Sequence, residues 1–350
     1  MVDIKSLTLD ELKDWMKENG EPVYRSSQVY SWLHEKMVRS VTEMGNIPKN
    51  LKCKIAGGED KDITVLDKIN MQVSKDGTRK YLFSSKAHGN EKTDLMESVL
   101  MRYNYGNTVC ISSQVGCRMG CKFCASTLDG LIRNLSASEM LDQIYSISKD
   151  IGERVSHVVV MGTGEPLDNF DELVRFIRIL TSKEGINLSR RNITVSTCGI
   201  VPKIYELADD DLGITLALSL HAPNDEKRKS IMPIANKYTI AELMDAVTYY
   251  FEKTGRRVTF EYALAEGVND TDEDVRELSA LASRVSAHVN LIPVNPVTER
   301  GYAPTGRGRV IEFKNKLENK GINVTIRREL GRDIDGACGQ LRHRHMEDYQ

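Results

Sequence analysis

Three cysteines share one short loop of this chain, Gly116-Cys117-Arg118-Met119-Gly120-Cys121-Lys122-Phe123-Cys124. Their spacing, C-x3-C-x2-C, allows three thiolates to hold three irons of a cubic iron–sulfur cluster. An electron carrier normally supplies a fourth cysteine, because a closed ligand shell keeps other chemistry away from the metal. Three cysteines leave the fourth iron open, so the loop predicts a cluster that binds and reduces a second molecule.

Two other kinds of site use cysteines at similar spacing. A structural zinc site has four ligands, and Cys110, Cys198, Cys338 or a histidine could supply the fourth here. A disulfide framework is disfavoured, because seven cysteines in 350 residues are too sparse. Gly116 and Gly120 let the loop curl and bring backbone amides near the sulfurs. The open-iron cluster is the favoured interpretation, with zinc as the alternative.

The overall composition is that of a soluble protein with room for one large and one small domain. Of its 350 residues, 40% are hydrophobic and 28% are charged, and the net charge is −2. No apolar run approaches the ~18 residues of a membrane helix, and the first residues lack the apolar core of a signal peptide. Free thiols and no signal predict a cytoplasmic protein.

The second half of the chain alternates short apolar runs with helical periodicity. This alternation is typical of a parallel sheet made of βα units. Six such units predict an α/β fold built on a partial (β/α)6 barrel, with its site at the C-terminal ends of the strands. The cluster loop follows the first strand. The predicted strands cover residues 109–112, 158–161, 193–196, 216–219, 258–262 and 289–292.

The first hundred residues differ from the barrel. Apolar stripes behind helix caps predict helices that begin near Thr8 and Ser26, and strand-like stretches follow at 81–83 and 97–101. The predicted domains are an N-terminal helical domain (1–56), a β-strand extension (57–102), the barrel (103–333) and a C-terminal tail (334–350).

One further segment follows the second predicted strand, Met161-Gly162-Thr163-Gly164-Glu165-Pro166-Leu167. Its small residues let the backbone approach a ligand, and its glutamate can accept hydrogen bonds from an amine. Together with the cluster loop, it resembles the radical S-adenosylmethionine (SAM) superfamily. That resemblance implies that SAM chelates the open iron of a [4Fe-4S] cluster and that an electron from the cluster splits SAM into methionine and a 5′-deoxyadenosyl radical.

A closer resemblance rests on four separated motifs. They are Cys110-Ile111-Ser112-Ser113-Gln114-Val115-Gly116-Cys117, Ser219-Leu220-His221-Ala222, Leu291-Ile292-Pro293-Val294-Asn295-Pro296 and Asp333-Ile334-Asp335-Gly336-Ala337-Cys338-Gly339-Gln340-Leu341. From about residue 20 to residue 342 the chain resembles the RlmN family. That family methylates C2 of a specific adenine in 23S rRNA, at the peptidyl transferase centre, and of the adenine 3′ to the anticodon in some tRNAs. The helical region from residue 1 to 56 resembles the family's accessory RNA-binding domain.

The resemblance implies a ping-pong mechanism that uses two SAM molecules per turnover. One SAM methylates the thiolate of Cys338, and the radical from the second removes a hydrogen atom from that S-methyl group. The resulting carbon joins C2, and Glu97 accepts the proton. Cys110, the resolving thiol, then attacks the sulfur of Cys338, forms a transient disulfide and releases the product.

The remaining roles also come from the resemblance. The cluster ligands are Cys117, Cys121 and Cys124. The SAM contacts are Gly164, Glu165, Ser196, Ser219, Leu220, His221 and Asn295. The implied partners are 23S rRNA, tRNA and an external electron donor such as flavodoxin or ferredoxin, with no membrane and a monomeric enzyme. Local charge, rather than the resemblance, suggests that the basic tail with Arg342 and Arg344 contacts RNA phosphates, and a solvated tail is the alternative.

Three other functions remain as alternatives. The related Cfr group methylates C8 of the same adenine and confers antibiotic resistance. Members of that group often have alanine after the SAM-binding glutamate, so Pro166 favours C2. An iron–sulfur electron carrier or redox sensor would not cleave SAM and would not need Cys110 or Cys338. A zinc-stabilised RNA-binding module would have no turnover. Cys53 is interpreted as structural and Cys198 as incidental.

Overall fold

The computed structural model describes most of the chain. The described residues are 2–57, 62–86, 94–294, 301–328, 330–331, 333–334, 341–342 and 345. Within them the protein has a mixed α/β fold, in which one large sheet carries helices on one face and a cavity on the other. Asn295, Cys338 and Arg344 lie outside the described residues.

Short helices form the N-terminal region. Thr8 caps the first of them: its hydroxyl accepts the Glu11 backbone N–H, and the Glu11 carboxylate accepts the Thr8 backbone N–H, as a capping box requires. Apolar side chains of this region, among them Leu12, Val29 and Leu51, are fully buried in the main core. The helices are α1 (Leu9–Glu18), α2 (Arg25–Tyr30) and α3 (Lys49–Ala56).

Ten of the described strands form one sheet. The first four strands in sheet order pair antiparallel with one another, and all the remaining pairs are parallel. In sheet order they are β1 (Leu66–Val73), β2 (Arg79–Ser85), β3 (Leu95–Tyr103), β4 (Gly106–Ile111), β7 (Val155–Val160), β8 (Ile193–Thr197), β9 (Thr215–Ser219), β10 (Thr259–Leu264), β11 (His288–Pro293) and β12 (Asn323–Ile326). A separate hairpin pairs β5 (Gln114–Gly116) with β6 (Leu131–Asn134).

The barrel helices, with one exception, cover one face of this sheet. Their bounds are α4 (Ala137–Ile151), α5 (Phe170–Leu180), α6 (Val201–Asp209), α7 (Asp225–Ile231), α8 (Ile240–Thr254), α9 (Asp272–Arg284) and α10 (Arg307–Asn319). The exception is α7, which packs beside the cluster loop. Side chains alternate along each strand, so Val109 and Ile111 join the core beneath the helices. Cys110 lies between them and points to the opposite face, which we call the inner face.

The parallel strands confirm the predicted fold class, with two differences. A seventh parallel strand, β12, follows α10. The sequence did not predict it, because β12 is only four residues long and half of those residues are polar. The hairpin of β5 and β6 brackets the cluster loop, and a three-residue strand carries too little periodicity to be recognised. Within the described residues, no helix is both long and apolar enough to cross a membrane.

Candidate active site

The three cysteines of the cluster loop line one cavity. The loop leaves β5 at Gly116, whose φ of +75° is unfavourable for other residues. A Cβ atom there would lie 1.9 Å from the carbonyl oxygen of Gly130, the same oxygen that accepts the Cys117 backbone N–H at 2.8 Å. Only glycine therefore lets the loop close on itself and hold the thiols over the cavity.

The cavity has a volume of about 250 Å³ and lies at the C-terminal ends of the parallel strands. The structure thereby brings the cluster loop to the place where the barrel prediction put the site. Five of the seven predicted SAM contacts also line it: Gly164, Glu165, Ser196, Ser219 and His221. Leu220 is fully buried beside them and is not part of the lining.

Glu165 is a buried carboxylate held by backbone donors. Its oxygens accept the N–H of Cys198 at 2.7 Å and that of Leu167 at 3.1 Å. Burial raises the pKa of Glu165, and these hydrogen bonds offset the effect only in part. A cationic amine in the cavity would favour the ionised carboxylate, because an opposite charge nearby compensates for lost hydration.

The glycines near Glu165 have a packing role that sequence reasoning did not anticipate. A Cβ on Gly164 would lie 2.6 Å from the Gln114 side chain, and one on Gly162 would lie 2.7 Å from the Ile111 backbone. Gln114 also accepts the Glu165 backbone N–H at 2.9 Å. Small residues are needed here so that the end of β7 can pack against the chain that enters the cluster loop.

Polar side chains from the next two strands meet at the opposite wall. The hydroxyls of Ser196 and Ser219 lie 3.2 Å apart. His221 has a φ of +58°, and its Nδ1 accepts the Ala263 N–H at 3.0 Å, which leaves the proton of the neutral ring on Nε2. Burial, together with the charge of Arg228, lowers the pKa of His221 to about 3, so the ring is neutral at physiological pH.

The two predicted reaction residues that the structure describes lie on the inner face and outside the cavity lining. Cys110 is buried on β4, one residue before the strand ends. Glu97 is buried on β3, where the Lys80 ammonium lies 3.0 Å from one carboxylate oxygen. The other oxygen accepts the backbone N–H of Arg342 at 2.6 Å. Glu97 thus contacts the chain four residues after Cys338.

Two family models match the chain. The radical SAM superfamily model matches residues 111–279, and the ribosomal RNA large subunit methyltransferase N-terminal domain matches residues 2–58. A curated relative from Lachnospira eligens, named "Probable dual-specificity RNA methyltransferase RlmN", is 59% identical, and the alignment covers 99% of this chain and 98% of the relative. One from Geobacillus kaustophilus with the same name is 51% identical, with 99% and 93% covered.

A solved structure shows the same architecture. The crystal structure of a radical SAM methyltransferase from Sphaerobacter thermophilus is 40% identical, has a TM-score of 0.89, and covers 96% of this chain and 98% of its own. This chain belongs to the RlmN family of radical SAM enzymes. The family brings with it a [4Fe-4S] cluster and SAM as cofactors.

The donor set of this RlmN-family chain fits both cofactors. Burial raises the pKa of Cys117 to about 12 and that of Cys121 further, so thiolates form there only beside a compensating cation such as iron. In the described part of the chain, no three His, Cys, Asp or Glu side chains are grouped as ligands of a single metal ion. A cubic cluster places each cysteine on a different iron, which suits thiols spread around a cavity.

Sequence reasoning missed two buried residues at this site. Cys198, interpreted as incidental, lines the cavity and packs with Cys121 and Met232. Arg228 is fully buried and donates to the carbonyls of Cys198 at 2.6 Å and Leu220 at 3.1 Å. The position of Cys198 directly after a strand end was a usable signal, whereas an arginine in a charged helix gave none.

The prediction for Arg342 was wrong in one respect. Its side chain is buried, and its guanidinium pairs with Asp129 at 3.1 Å. An arginine in this state is not presented to solvent as a phosphate contact. The pairing links the C-terminal tail to the segment that follows the cluster loop.

Proposed function

We propose that this enzyme methylates C2 of a specific adenine in 23S rRNA and of the adenine 3′ to the anticodon in some tRNAs. The proposal is supported by the names of its relatives and by one arrangement in the structure. The predicted cluster ligands and five predicted SAM contacts line one cavity, and Glu97 holds the chain just beyond Cys338. An electron carrier would not need the contact between Glu97 and the chain beyond Cys338.

When bound, the cluster supplies the electron that cleaves SAM reductively, with flavodoxin or ferredoxin as the proposed donor. Cys117, Cys121 and Cys124 would hold the cluster. The ionised carboxylate of Glu165 would bind the SAM amine, and Ser196, Ser219, His221 and Asn295 would orient the rest of the molecule. Walls of buried apolar side chains exclude water from the reacting atoms.

The protein's own thiols would carry the methyl group. Cys338 would take it from a first SAM by displacement, and a second SAM would activate it for bond formation with C2. The adduct would lose the C2 hydrogen as a proton, which Glu97 would accept, and one electron, which the bound cluster would take up. Cys110 would then attack the sulfur of Cys338, so that an S–S bond forms while the bond from that sulfur to the transferred carbon breaks. The electron pair stays with the carbon, which takes up a proton from solvent to complete the product methyl group, and an external reductant restores the thiols.

The regiochemistry and the setting complete the proposal. Pro166 follows Glu165 and favours C2 over the C8 chemistry of the related group. We propose a monomer that works in the reducing cytoplasm, where seven cysteines without a disulfide framework and an oxygen-sensitive cluster would persist. The residues of the N-terminal helical region would contribute to RNA binding, and the base would be unstacked to reach the cavity.

The decisive experiment uses Cys110→Ala. The variant is incubated anaerobically with SAM, reductant and 23S rRNA, and the protein–RNA products are analysed by mass spectrometry. Without the resolving thiol, a covalent adduct through Cys338 should accumulate, whereas Cys53→Ala should turn over normally. Wild-type activity with no adduct in Cys110→Ala would refute the thiol assignments. Methyl groups mapped to C8 would refute the regiochemistry alone.

A further inference from the structure

The antiparallel strands are contacted at two separate places, by Gly331 and Asp333 just before the C-terminal tail and by Leu341 and Arg342 within it. The first is the turn between β1 and β2. There the Gly331 N–H donates to Asp76 at 2.9 Å, and the Lys75 N–H donates to Asp333 at 3.0 Å. Ser74 also donates its hydroxyl to Asp333. Desolvation by itself would raise the pKa of Asp76, but the hydrogen bonds from Gly331 and Thr78 outweigh it and lower this pKa to about 2. We call this set the outer anchor.

The second place lies deeper on the same strands. Leu341 is buried against Leu82 and Leu95 in a small apolar cluster of its own. The next residue, Arg342, donates its N–H to Glu97 and pairs its guanidinium with Asp129. We call this set, together with Lys80, the inner anchor.

Lys80 is the unusual member of the inner anchor. It is fully buried on β2, and its ammonium lies 3.0 Å from Glu97. A buried carboxylate without a partner is strongly destabilising, because neither water nor a counter-charge replaces its hydration. Lys80 therefore supplies the counter-charge to the buried Glu97 carboxylate, whose other oxygen accepts the Arg342 N–H.

Strand register places the inner anchor on the same face as Cys110. Glu97 lies opposite Leu82 across β2 and β3, and Val99 lies opposite Cys110 across β3 and β4. Directly opposed residues of antiparallel strands share a face, and so do residues two apart. Lys80, Leu82, Glu97 and Cys110 consequently all point from the inner face, to which the tail is fixed.

We propose that Lys80 and Glu97 form an anchor for the C-terminal tail, with Lys80 as the positioning residue, and that the two anchors together limit how far Cys338 can move. Cys338 lies five positions from Asp333 on one side and four from Arg342 on the other, and five residues span at most about 18 Å. Fixing both flanks therefore limits the reach of the thiol. The proposal rests on the proposed function only for what Cys338 does; the anchoring itself is independent of it.

The test is hydrogen–deuterium exchange on the full-length protein, read on peptides from residues 331 to 350. Lys80→Met should speed exchange in the tail at least about tenfold, because a charge-assisted contact is lost. Lys80→Arg keeps the charge and should restore protection. Lys68→Met removes a cation of β1 that pairs with Asp150, and it should leave the tail unchanged.

A second variant guards against simple misfolding. Leu341→Ala weakens the inner anchor without leaving a buried charge unpaired, and it should produce the same tail-specific exchange while the barrel peptides stay protected. Tail exchange unchanged in both Lys80→Met and Leu341→Ala would overturn the anchor.

Methylation of Cys338 by SAM, measured by mass spectrometry, separates the two proposals. Its absence in the wild-type protein would refute the proposed function and leave the exchange result standing. Slower Cys338 methylation in Lys80→Met, restored in Lys80→Arg, would show that the anchor also positions Cys338 for the reaction. Methylation at the wild-type rate in a variant with a loosened tail would show that the anchor does not position the thiol.

Discussion

The cavity and the N-terminal part of the chain (residues 2–103) use buried polar groups in opposite ways. In the cavity, Glu165, Ser196 and His221 surround open space at the strand ends. In the N-terminal part, buried charges are neutralised inside the protein. Lys80 pairs with Glu97 there, and the Lys5 ammonium lies 2.7 Å from Asp142 of α4. The first region is arranged to receive a ligand and the second to hold parts of the same chain together.

Strand direction explains the difference. Parallel strands require a crossover between neighbours, so their C-terminal ends converge and leave a rim of loops with free backbone groups. Antiparallel strands are joined by short turns, and their side chains pair across the ladder. One continuous sheet therefore provides a pocket for chemistry at its parallel end and a docking surface for the tail at its antiparallel end.

Cys121→Ala should produce the largest difference between the cavity and the docking surface of the tail. Removing one of three cluster ligands should abolish most of the bound iron and the visible absorbance of the cluster, since no other residue is assigned to that iron. Lys80→Met, at the docking surface, should retain both. Iron and sulfide content after anaerobic reconstitution measures the difference, and Cys53→Ala serves as the control thiol.

Gly116→Ala should be less damaging but still severe. The new Cβ would meet the Gly130 carbonyl oxygen at 1.9 Å, and the φ of +75° adds backbone strain. We expect a loss of roughly 3 kcal/mol or more in the free energy of unfolding. The matched control is Gly152→Ala at the end of α4, where φ is +65° and no atom lies within 4 Å.

The control isolates strain from steric overlap. Gly152→Ala should lose only about 1 kcal/mol, the usual penalty for a left-handed residue with a side chain. Urea unfolding of the iron-free proteins measures both values. Equal losses for the two variants would mean that the cluster loop relaxes around the added methyl group and that its shape does not depend on the contact with Gly130.

Residues with local patterns were predictable from the sequence. The spacing of Cys117, Cys121 and Cys124 identified the loop, and the cap at Thr8 marked where the first long helix begins. The resemblance then supplied five residues that the fold brings into one cavity. The fold brings these residues together because strand ends in a parallel barrel converge whatever the details of packing, and their roles stay predictions.

Residues defined by distant partners were not predictable. Arg342 and Glu97 are 245 positions apart in sequence, and only the register of β2 with β3 shows that Lys80 faces Glu97. A lysine in a polar-looking strand reads as solvent-exposed, and so does an arginine in a basic tail. Arg228 was missed for the same reason, since its acceptors are backbone carbonyls that carry no sequence signal.

The smallest expected effect concerns acid stability and lies in the N-terminal part. His34 is fully buried, its Nδ1 lies 2.9 Å from the Tyr145 hydroxyl, and its ring packs against Tyr30. Burial, and to a lesser degree the charge of Lys5, lowers the pKa of His34 to about 3. The unfolded chain, with an ordinary pKa near 6.5, therefore binds this proton first as the pH falls.

This difference in proton binding determines whether the free energy of unfolding rises or falls with pH. The contribution of His34 to stability is complete above about pH 6.5 and is lost as the pH falls toward 3. In that window the free energy of unfolding of the wild type should fall by up to about 1.4 kcal/mol more per pH unit than that of His34→Asn. Asparagine keeps a polar atom near the Tyr145 hydroxyl and has no proton to gain. Urea unfolding across the window gives the two slopes, and parallel slopes would mean that water reaches His34 and that this region is less tightly packed than the cavity walls.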